Sequence, residues 1–455
     1  MPLSRREFIG LAVAAPAFGF WKPAALAAPG WRAAAAPLIV DAARLRADLE
    51  ALSAFGRPPG GTFADGVSRV GYSDADVEGR RLVSGWMREA GLAVRTDAAG
   101  NLIGRRAGSD PAARPILFGS HIDSVPNGGN FDGDLGSLAA IEAVRTMSRH
   151  GVTTSHPLEV VVWANEEGVA FGNGLCGSRA AAGELAAGEM DQVWNGMRKA
   201  DAMRRIGGDP DRIEEARRAP GSIHAYLELH IEQGGTLDRA GIPIGVVEGI
   251  VAIDRYEAVI RGVPNHAGTT PMPDRHDALV AAAQLVLAVR EIVTAEPGRQ
   301  VGTVGQLGVT PNAPNVVPGL VRHTIELRDL SADRIVEMAE RIKSRAAEIA
   351  SRTGTAIDIT KTSHHAAALA HAGVQALIER CAADLGLRSM RLPSGAGHDA
   401  QMAARFGPMG MIFVPSVGGV SHSPKELTSW EDCARGASVL LNAVVALDRE
   451  RALGE

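Results

Sequence analysis

Cysteine is scarce in this chain of 455 residues, which has only three cysteines and no CxxC pair. A disulfide framework is therefore excluded, and a zinc site built from cysteine is disfavoured. Any metal would have to be held by imidazole and carboxylate groups. The chain also lacks a basic excess, because its formal net charge is -5. Nucleic acid is therefore not an expected partner, since phosphate binding needs a concentrated basic face.

Long apolar runs are absent after residue 30, so stable membrane insertion of the mature protein is not expected. The N-terminal segment has the features of an export signal. A charged start that contains Arg5 and Arg6 leads into a short apolar run, and residues 25–27 (Ala-Leu-Ala) offer a small-residue cleavage site. The arginine pair resembles the twin-arginine signal. We predict that residues 1–27 are a twin-arginine-type signal peptide and that the protein is periplasmic; a membrane anchor or a disordered segment is the alternative.

The remaining chain is long enough for two domains. Residues 115–119 and 158–164 are short apolar runs of the kind found in buried strands of a largely parallel sheet. A helical pattern at 136–150 lies between them and completes a βαβ unit. The pattern predicts an α/β domain with a mostly parallel central sheet.

A different pattern occupies the middle of the chain. From residue 253 to residue 361 the predicted elements follow the order β-α-β-β-α-β, which is the ferredoxin-like arrangement. The α/β pattern then returns. We therefore predict a discontinuous α/β domain at 38–248 and 364–450, interrupted by an inserted α+β domain at 249–363.

Several residues of metal-ligand type lie beside glycines or predicted strand ends. They are His121, Asp132, Glu167, His230 and His422. Ligands of open α/β sheets bind beyond the carboxyl ends of the strands, which is where His121 and Glu167 fall. The glycine-rich loop around Asp132 lacks the GK[ST] ending of a nucleotide-binding loop, so that interpretation is weak.

Glu166 and Glu167 are adjacent, and neighbouring side chains at a strand end tend to point in different directions. One can bind a metal while the other remains free to transfer a proton. We assign the metal to Glu167 and the general base to Glu166, although spacing alone does not determine the order and a solvated acidic turn is the alternative. The carboxylate of Asp123, two residues after His121, is expected to accept the outward N–H of that imidazole.

Motifs along most of the chain, from about residue 40 to 447, resemble those of hydantoinase/carbamoylase-type amidases. These dinuclear zinc hydrolases include N-carbamoyl-L-amino-acid, allantoate and ureido-acid hydrolases, and they are related to aminoacylases and zinc carboxypeptidases. The matching motifs, in family order, are GSHIDSVPNGGNFDG, NEEG, GSRAAAG, LELHIEQG, NHAGTTPM, PNAPNVVPG, IELRD, SGAGHDA and SHSPKE. The resemblance implies a zinc-peptidase-like catalytic domain and an inserted ferredoxin-like domain that serves as a lid and for dimerisation.

The resemblance also implies a ligand set for two divalent metal ions per subunit, zinc in the first place and manganese or cobalt as alternatives. Asp132 would bridge the ions, with His121 and His230 at one and Glu167 and His422 at the other. The peptide bond after the bridging aspartate would be cis. Peptidase relatives carry a carboxylate where His230 stands, so the histidine favours the carbamoyl branch.

Catalytic roles are implied for Glu166, as general base, and for His266, which would stabilise the carbonyl oxygen. Arg328 is the expected forked donor to a substrate carboxylate. The residues implied in substrate binding are Gln233, His266, Asn315, Arg328, Gly397 and His398. By analogy with the family, residues of the inserted domain would act in the partner subunit's site, which implies a homodimer.

The predicted function is hydrolysis of a linear carbamoyl or ureido C–N bond in a small acid, with N-carbamoyl-L-amino acids first. Allantoate or ureidoglycolate is the nearest alternative, followed by an aminoacylase or metallopeptidase and by a catalytically silent binding protein. For Asn312, Arg322 and His323 we prefer structural roles. We interpret the remaining histidine cluster, His364, His365 and His371, as solvent-facing or linker residues.

Overall fold

The structure, a computed structural model, describes residues 36–450, so the predicted signal peptide lies outside the described residues. Several helices begin after a serine whose side chain accepts a main-chain N–H of the first turn, as Ser73, Ser331 and Ser429 do. Within the described residues, no helix is both long and apolar enough to cross a membrane. The α-helices are α1 Ala42–Leu52, α2 Asp74–Glu89, α3 Asp134–Arg149, α4 Cys176–Ala182, α5 Lys199–Arg205, α6 Thr236–Ala240, α7 Ala278–Thr294, α8 Ala332–Thr353, α9 Ala372–Asp384, α10 Asp399–Ala403 and α11 Trp430–Arg449.

The strands form a large sheet, a smaller one and two short ribbons. They are β1 Ala93–Thr96, β2 Leu102–Arg106, β3 Ile116–His121, β4 Leu158–Trp163, β5 Val193–Trp194, β6 Met197–Arg198, β7 Ala225–Ile231, β8 Ile244–Ile250, β9 Ala252–Arg261, β10 Asn265–His266, β11 Val301–Thr303, β12 Leu307–Thr310, β13 Val316–Val317, β14 Leu320–Asp329, β15 Ala356–His365, β16 Ala368–Leu369, β17 Ser389–Ser394 and β18 Met409–Val414.

The 9-stranded sheet has the order β1-β2-β4-β3-β7-β18-β8-β16, with β17 paired to β8. Its central strands β4, β3, β7 and β18 are mutually parallel, as the sequence predicts. The sheet as a whole is mixed rather than mostly parallel, because β2 runs antiparallel to both β1 and β4, and β8 runs antiparallel to β18. The short turn at 97–101 accounts for the first pairing, since parallel strands need a long crossover connection.

Both faces of the central sheet are covered. Alternate side chains of a strand point to opposite faces, so Phe118 enters one hydrophobic core and its neighbour Leu117 enters another. Helices α1, α3, α9 and α11 pack in the first core, and α6 and α10 contribute to the second. The predicted βαβ unit is confirmed as β3-α3-β4, with its two strands parallel. The result is an α/β fold in which the central strands are buried on both sides.

The second sheet is 5-stranded and antiparallel, in the order β11-β14-β9-β15 with β12 also on β14. Helices α7 and α8 pack on it around a separate core that includes Leu285, Ile325 and Ile342. The predicted β-α-β-β-α-β order has one strand too few, because residues 301–310 form two strands, β11 and β12, which pair with different parts of β14. This sheet therefore has its own apolar core. In the sequence, its strands lie between two stretches of chain that build the central sheet.

The parallel strands bring several polar side chains to one edge of the central sheet. His121 is the last residue of β3, and His230 is the last but one of β7. Glu166 and Glu167 follow shortly after β4. Because the carboxyl ends of parallel strands meet at the same edge, these side chains converge there.

Candidate active site

Asp132 lies between two groups of metal-ligand side chains. Its Oδ1 is 3.5 Å from Nε2 of His121 and 3.1 Å from Nε2 of His230. Its Oδ2 is 3.5 Å from Nε2 of His422, which is itself 3.4 Å from Oε2 of Glu167. We call these groups the first trio (His121, Asp132, His230) and the second trio (Asp132, Glu167, His422). Within each trio the ligand atoms lie within 4.8 Å of one another, so each trio could hold a metal ion.

The two buried imidazoles are oriented by main-chain carbonyl groups. Nδ1–H of His121 donates to the carbonyl oxygen of Asp123 over 2.9 Å, and Nδ1–H of His230 donates to that of Ile231, also over 2.9 Å. The Nε2 atom of each ring then faces Asp132, where it could bind a metal ion. The prediction that the carboxylate of Asp123 accepts from His121 is wrong, because that carboxylate lies 3.9 Å from Nδ1 and is engaged elsewhere.

The Asp123 carboxylate holds the two glutamates instead. Its Oδ1 accepts the main-chain N–H of Glu166 over 3.0 Å, and its Oδ2 accepts that of Glu167 over 3.1 Å. The glutamate side chains then diverge, as expected at a strand end. Oε2 of Glu166 lies 3.7 Å from Nε2 of His121, while Glu167 reaches His422 in the second trio. Glu166 belongs to neither trio, which leaves its carboxylate available for proton transfer.

Several acidic side chains lie close together in the buried site formed by the two trios and Glu166. Burial raises the pKa of Glu166 well above its ordinary value, and it raises the pKa of Glu167 to about 8. Burial also acts to raise the pKa of Asp132, but the neighbouring histidines outweigh it and hold that pKa well below the ordinary range. The hydrogen bond to Asp132 raises the pKa of His422 to about 9. Buried carboxylates at this density need a compensating positive charge, which imidazolium groups or a metal cation would supply.

Gly133 makes the approach of Asp132 to the histidines possible. Its φ is +66°, in the left-handed region, and a Cβ there would lie 2.3 Å from Cε1 of His121. Its N–H points to Nε2 of His230 at 3.3 Å. The expected cis peptide after Asp132 is wrong, because the cis bond found in residues 36–450 is Thr310–Pro311. The positive φ of glycine already turns the chain from Asp132 into α3.

Gln233 and Arg328, both predicted substrate contacts, line one cavity of about 500 Å³. Nε2–H of Gln233 donates to Oδ2 of Asp132 over 2.6 Å, which places the cavity beside the second trio. Arg328 donates from Nε to Glu326 and from Nη1 to the carbonyl oxygen of Gly395, and its Nη2 lies 2.7 Å from the same oxygen of Glu326. An N–H group on each terminal nitrogen remains without a partner among the described residues, and such groups can bind a carboxylate.

His398 lies beside the first trio, and Gly397 lies beside the cavity. The buried ring of His398 stands 4.4 Å from the ring of His230, centroid to centroid, and its Nε2 is 2.9 Å from Oγ of Ser394. Burial and the neighbouring His230 hold the pKa of His398 well below its ordinary value, so the ring is neutral. Gly397 is exposed and follows Ala396, which lines the cavity. His398 therefore supports His230, and Gly397 lies at the edge of the cavity.

His266 and Asn315 are not brought to the two trios. Both are exposed and lie beside the second sheet, where β10 pairs with β13 and the N–H of Ala267 donates to the carbonyl oxygen of Asn315 over 2.9 Å. Nδ1 of His266 accepts the N–H of Gly268 over 3.0 Å. Within residues 36–450, no hydrogen bond or ion pair joins His266 to either trio.

The residues assigned structural roles have local partners. His323 is buried in β14, Arg322 pairs with Glu257 at 3.1 Å, and Asn312 has a φ of +58°. The histidines of the cluster have local structural positions. His364 and His365 are in β15, where Nδ1 of His364 lies 2.6 Å from Asp254, and His371 caps α9. His364 and His365 are exposed, as expected.

Sequence reasoning missed Glu426 and Ser421, which contact Asp132 or its loop. Oε1 of Glu426 accepts the N–H groups of Phe131 and Asp132 over 3.0 and 3.1 Å. Oγ of Ser421 lies 3.0 Å from Oδ2 of Asp132. Both residues belong to the SHSPKE motif that contains His422, and this membership is the signal that could have identified them.

Comparisons with known proteins identify the family. The pattern of Peptidase family M20/M25/M40 matches residues 117–446. An N-carbamoyl-L-amino acid amidohydrolase of Geobacillus stearothermophilus is 44% identical over 407 residues, covering 89% of this chain and 98% of that protein. A ureidoglycolate hydrolase of Oryza sativa subsp. japonica is 37% identical over 426 residues, covering 92% and 87%.

A solved structure matches the whole architecture. The crystal structure of an amidase of the hydantoinase/carbamoylase family from Burkholderia multivorans superposes with a TM-score of 0.85 at 35% identity, covering 91% of this chain and 99% of that one. Sequence similarity and fold thus agree. The chain belongs to Peptidase family M20/M25/M40 and, within it, to the hydantoinase/carbamoylase-type amidases.

Proposed function

We propose that this protein is a metal-dependent amidohydrolase that cleaves the linear C–N bond of an N-carbamoyl-L-amino acid. The observation that carries the proposal is the pair of trios that share Asp132, with the carboxylate of Glu166 beside them and outside both. The relatives named N-carbamoyl-L-amino-acid amidohydrolase support the same reaction class.

The residues present fit two divalent metal ions. Imidazole and carboxylate donors suit zinc, and they also accept manganese or cobalt. Oε1 of Glu167 is buried and has no hydrogen-bond partner among the described residues, which is costly unless a cation faces it. His121 and His230 with Asp132 would hold one ion, and Glu167 and His422 with Asp132 the other. When bound, such a pair supplies the Lewis acidity that activates water and polarises a carbonyl group.

The protein's own groups then move the proton and hold the substrate. Glu166 takes a proton from the attacking water, and the same carboxyl group delivers it to the nitrogen that leaves as the C–N bond breaks. The carbamic acid that remains then loses carbon dioxide, which frees the second nitrogen, so that one molecule of ammonia and one of amino acid are formed. The free N–H pair of Arg328 binds the substrate carboxylate, and the amide of Gln233, beside Asp132, binds near the carbamoyl group. Gly397 and His398 lie next to the carbamoyl group of the bound substrate.

The cavity also has an apolar side. Met390, Leu392 and Pro393 are among the residues that line it. An amino-acid substrate whose carboxylate binds Arg328 would place its side chain against this surface, and an apolar side chain would gain by burial there. We therefore propose N-carbamoyl derivatives of apolar L-amino acids as the preferred substrates.

The second sheet and its helices serve, in this proposal, as a ferredoxin-like lid and dimerisation domain at 249–363. The order β11-β14-β9-β15 and the separate core support it. His266 and Asn315 are exposed and do not approach the trios of their own chain. We therefore assign them to the site of the partner subunit in a homodimer. There His266 would donate to the oxygen that becomes negative during attack.

A substrate panel tests the proposed reaction. The metal-loaded enzyme is assayed with N-carbamoyl-L-methionine, its D-enantiomer, N-carbamoyl-L-aspartate, allantoate, ureidoglycolate, N-acetyl-L-methionine and a dipeptide, with ammonia and amino acid measured together. We expect the highest kcat/KM for the L-carbamoyl methionine, with equal release of ammonia and methionine. A missing methylene changes such ratios about 10- to 200-fold, so larger chemical differences will be visible.

Other outcomes of the panel identify other functions. Ureidoglycolate as the best substrate would support the second candidate, which the Oryza relative favours. Preference for the acetylated or dipeptide substrate would place the enzyme with aminoacylases or peptidases and would contradict the proposal. A protein that binds these ligands without turnover would be a binding protein.

We further propose that the protein is exported to the periplasm by the twin-arginine route through residues 1–27. Replacing Arg5 and Arg6 with lysine is expected to retain the protein in the cytoplasm, whereas the wild-type protein appears in the periplasmic fraction. The matched control replaces Arg44 and Arg46, which are exposed on α1, with lysine, and it should leave export unchanged. Wild-type protein found only in the cytoplasm would contradict the proposal.

A further inference from the structure

Glu426 is a buried carboxylate with no cationic partner. Only 5% of the residue is exposed, and within residues 36–450 it forms no ion pair with lysine or arginine. Burying a carboxyl group without a cation beside it is costly, so a carboxyl group at such a place indicates a role that an apolar residue could not fill. The contacts of Glu426 show what that is.

The first contact of Glu426 is with the main chain of the Asp132 loop. Oε1 accepts the N–H of Phe131 over 3.0 Å and the N–H of Asp132 over 3.1 Å. A carboxylate that accepts two neighbouring N–H groups fixes the peptide planes on both sides of Phe131. The backbone from which the Asp132 side chain projects is thereby held in one orientation.

The second contact reaches the Asp132 carboxylate through Ser421. Oγ of Ser421 lies 2.7 Å from Oε2 of Glu426 and 3.0 Å from Oδ2 of Asp132. Oδ2 is the oxygen that faces the second trio, at 3.5 Å from His422. Glu426 therefore acts on Asp132 twice, through its main chain and through one of its two ligand oxygens.

Gly129 shows how closely the loop is fitted to Glu426. A Cβ at position 129 would lie 2.0 Å from Oε1 and 2.2 Å from Cδ of Glu426. Any side chain there would displace the carboxylate from its position against the loop. Glycine is thus needed at 129 to make room for Glu426, and not because of a left-handed φ.

We propose that Glu426 is a positioning residue that holds Asp132 in place to serve both trios at once, with Ser421 as its link to the carboxylate. Glu426 also ties the loop that carries His422 to the loop that carries Asp132, residues that are far apart in the sequence. The role does not depend on the identity of the substrate, but it does rest on the metal centre of the proposed function.

The test measures Zn²⁺ affinity directly, by competition with a chromogenic chelator, for the full chain and its variants. Glu426→Ala is expected to weaken Zn²⁺ binding about 10- to 100-fold, the usual effect of removing a group that orients a ligand. Ser421→Ala, which leaves the main-chain contacts, is expected to weaken it less. Glu426→Gln is expected to remain close to wild type, because its amide oxygen can accept the same two N–H groups.

The matched control is Glu142→Ala, which removes another fully buried glutamate. Glu142 accepts hydrogen bonds from Thr146 and Arg149 on α3 and does not contact either trio. Thermal unfolding of the metal-free forms shows how much each variant loses in stability. The control is expected to lose stability while its Zn²⁺ affinity remains that of the wild type.

The results separate this inference from the proposed function. A wild-type chain that binds no Zn²⁺ would overturn the metal centre itself. Wild-type binding with Glu426→Ala unchanged, or weakened only as much as Glu142→Ala, would overturn the positioning role. Glu426→Gln as weak as Glu426→Ala would also overturn it, because charge rather than position would then be the cause. If Glu426→Ala does not fold, an unchanged affinity of Ser421→Ala overturns it.

Discussion

Replacing Glu166 with glutamine is expected to lower kcat about 10²- to 10⁴-fold, the contribution of a positioned general base. The amide has the size of the carboxyl group but cannot take a proton from water. Because Glu166 lies outside both trios, metal content and KM should change little. Steady-state kinetics with N-carbamoyl-L-methionine and metal analysis of the dialysed protein measure the two effects separately.

The neighbouring residue provides the control. Glu167→Gln alters a member of the second trio, so this variant should lose bound metal as well as activity. The pair of variants thus distinguishes base from ligand at two adjacent positions. Glu166→Gln protein that loses its metal, or that keeps most of its kcat, would show that the two roles are exchanged or that another group is the base.

Glu166 and Glu167 also show which features of the site can be predicted from the sequence and which cannot. Strand patterns placed both glutamates and His121 at the carboxyl edge of a parallel sheet, because apolar runs and their ends are local signals. The order of the two glutamates was not such a signal and came only from the family resemblance. In the structure it depends on Asp123, whose carboxylate accepts both main-chain N–H groups and sets the two side chains apart.

Features that depend on contacts between distant segments could not be predicted in the same way. The hydrogen bond from Asp132 to Glu426 joins residues 294 positions apart, and no local sequence pattern at either residue predicts it. The sequence also does not show whether the carbonyl oxygen or the carboxylate of Asp123 is the partner of His121; the two lie 2.9 Å and 3.9 Å from its Nδ1. The antiparallel edges of the central sheet arise from tertiary pairing, which strand patterns alone do not specify.

Arg69 is another residue whose importance only the fold reveals. Its guanidinium is fully buried, and it pairs with the carboxylate of Asp134. It also donates to the carbonyl oxygens of Leu52, Phe55 and Ile122. Ile122 follows His121, and Asp134 follows the Asp132 loop. One cation therefore joins the end of α1 to the segments that carry His121 and Asp132, two of the three ligands of the first trio.

Replacing Arg69 with methionine is accordingly expected to lower the free energy of unfolding by about 3–5 kcal/mol, the cost of leaving a buried charge without its partner. Asp134, whose pKa burial already raises to about 6, would lose the cation beside it, and three carbonyl groups would lose their donor. Chemical denaturation of the metal-free protein gives the stability change. Zn²⁺ affinity should fall with it, because the segments that carry His121 and Asp132 would no longer be tied together.

Arg81→Met is the matched control for this variant. Arg81 pairs with Glu78 on the exposed face of α2, where an ion pair contributes less than about 1 kcal/mol. Adding Asp134→Asn to Arg69→Met should recover part of the lost stability, since the buried charge is then removed. If Arg69→Met proves as mild as Arg81→Met, or if the second substitution recovers nothing, the buried pair does not stabilise the fold, and the placement of the first trio must rest on the packing of β3 and α3 alone.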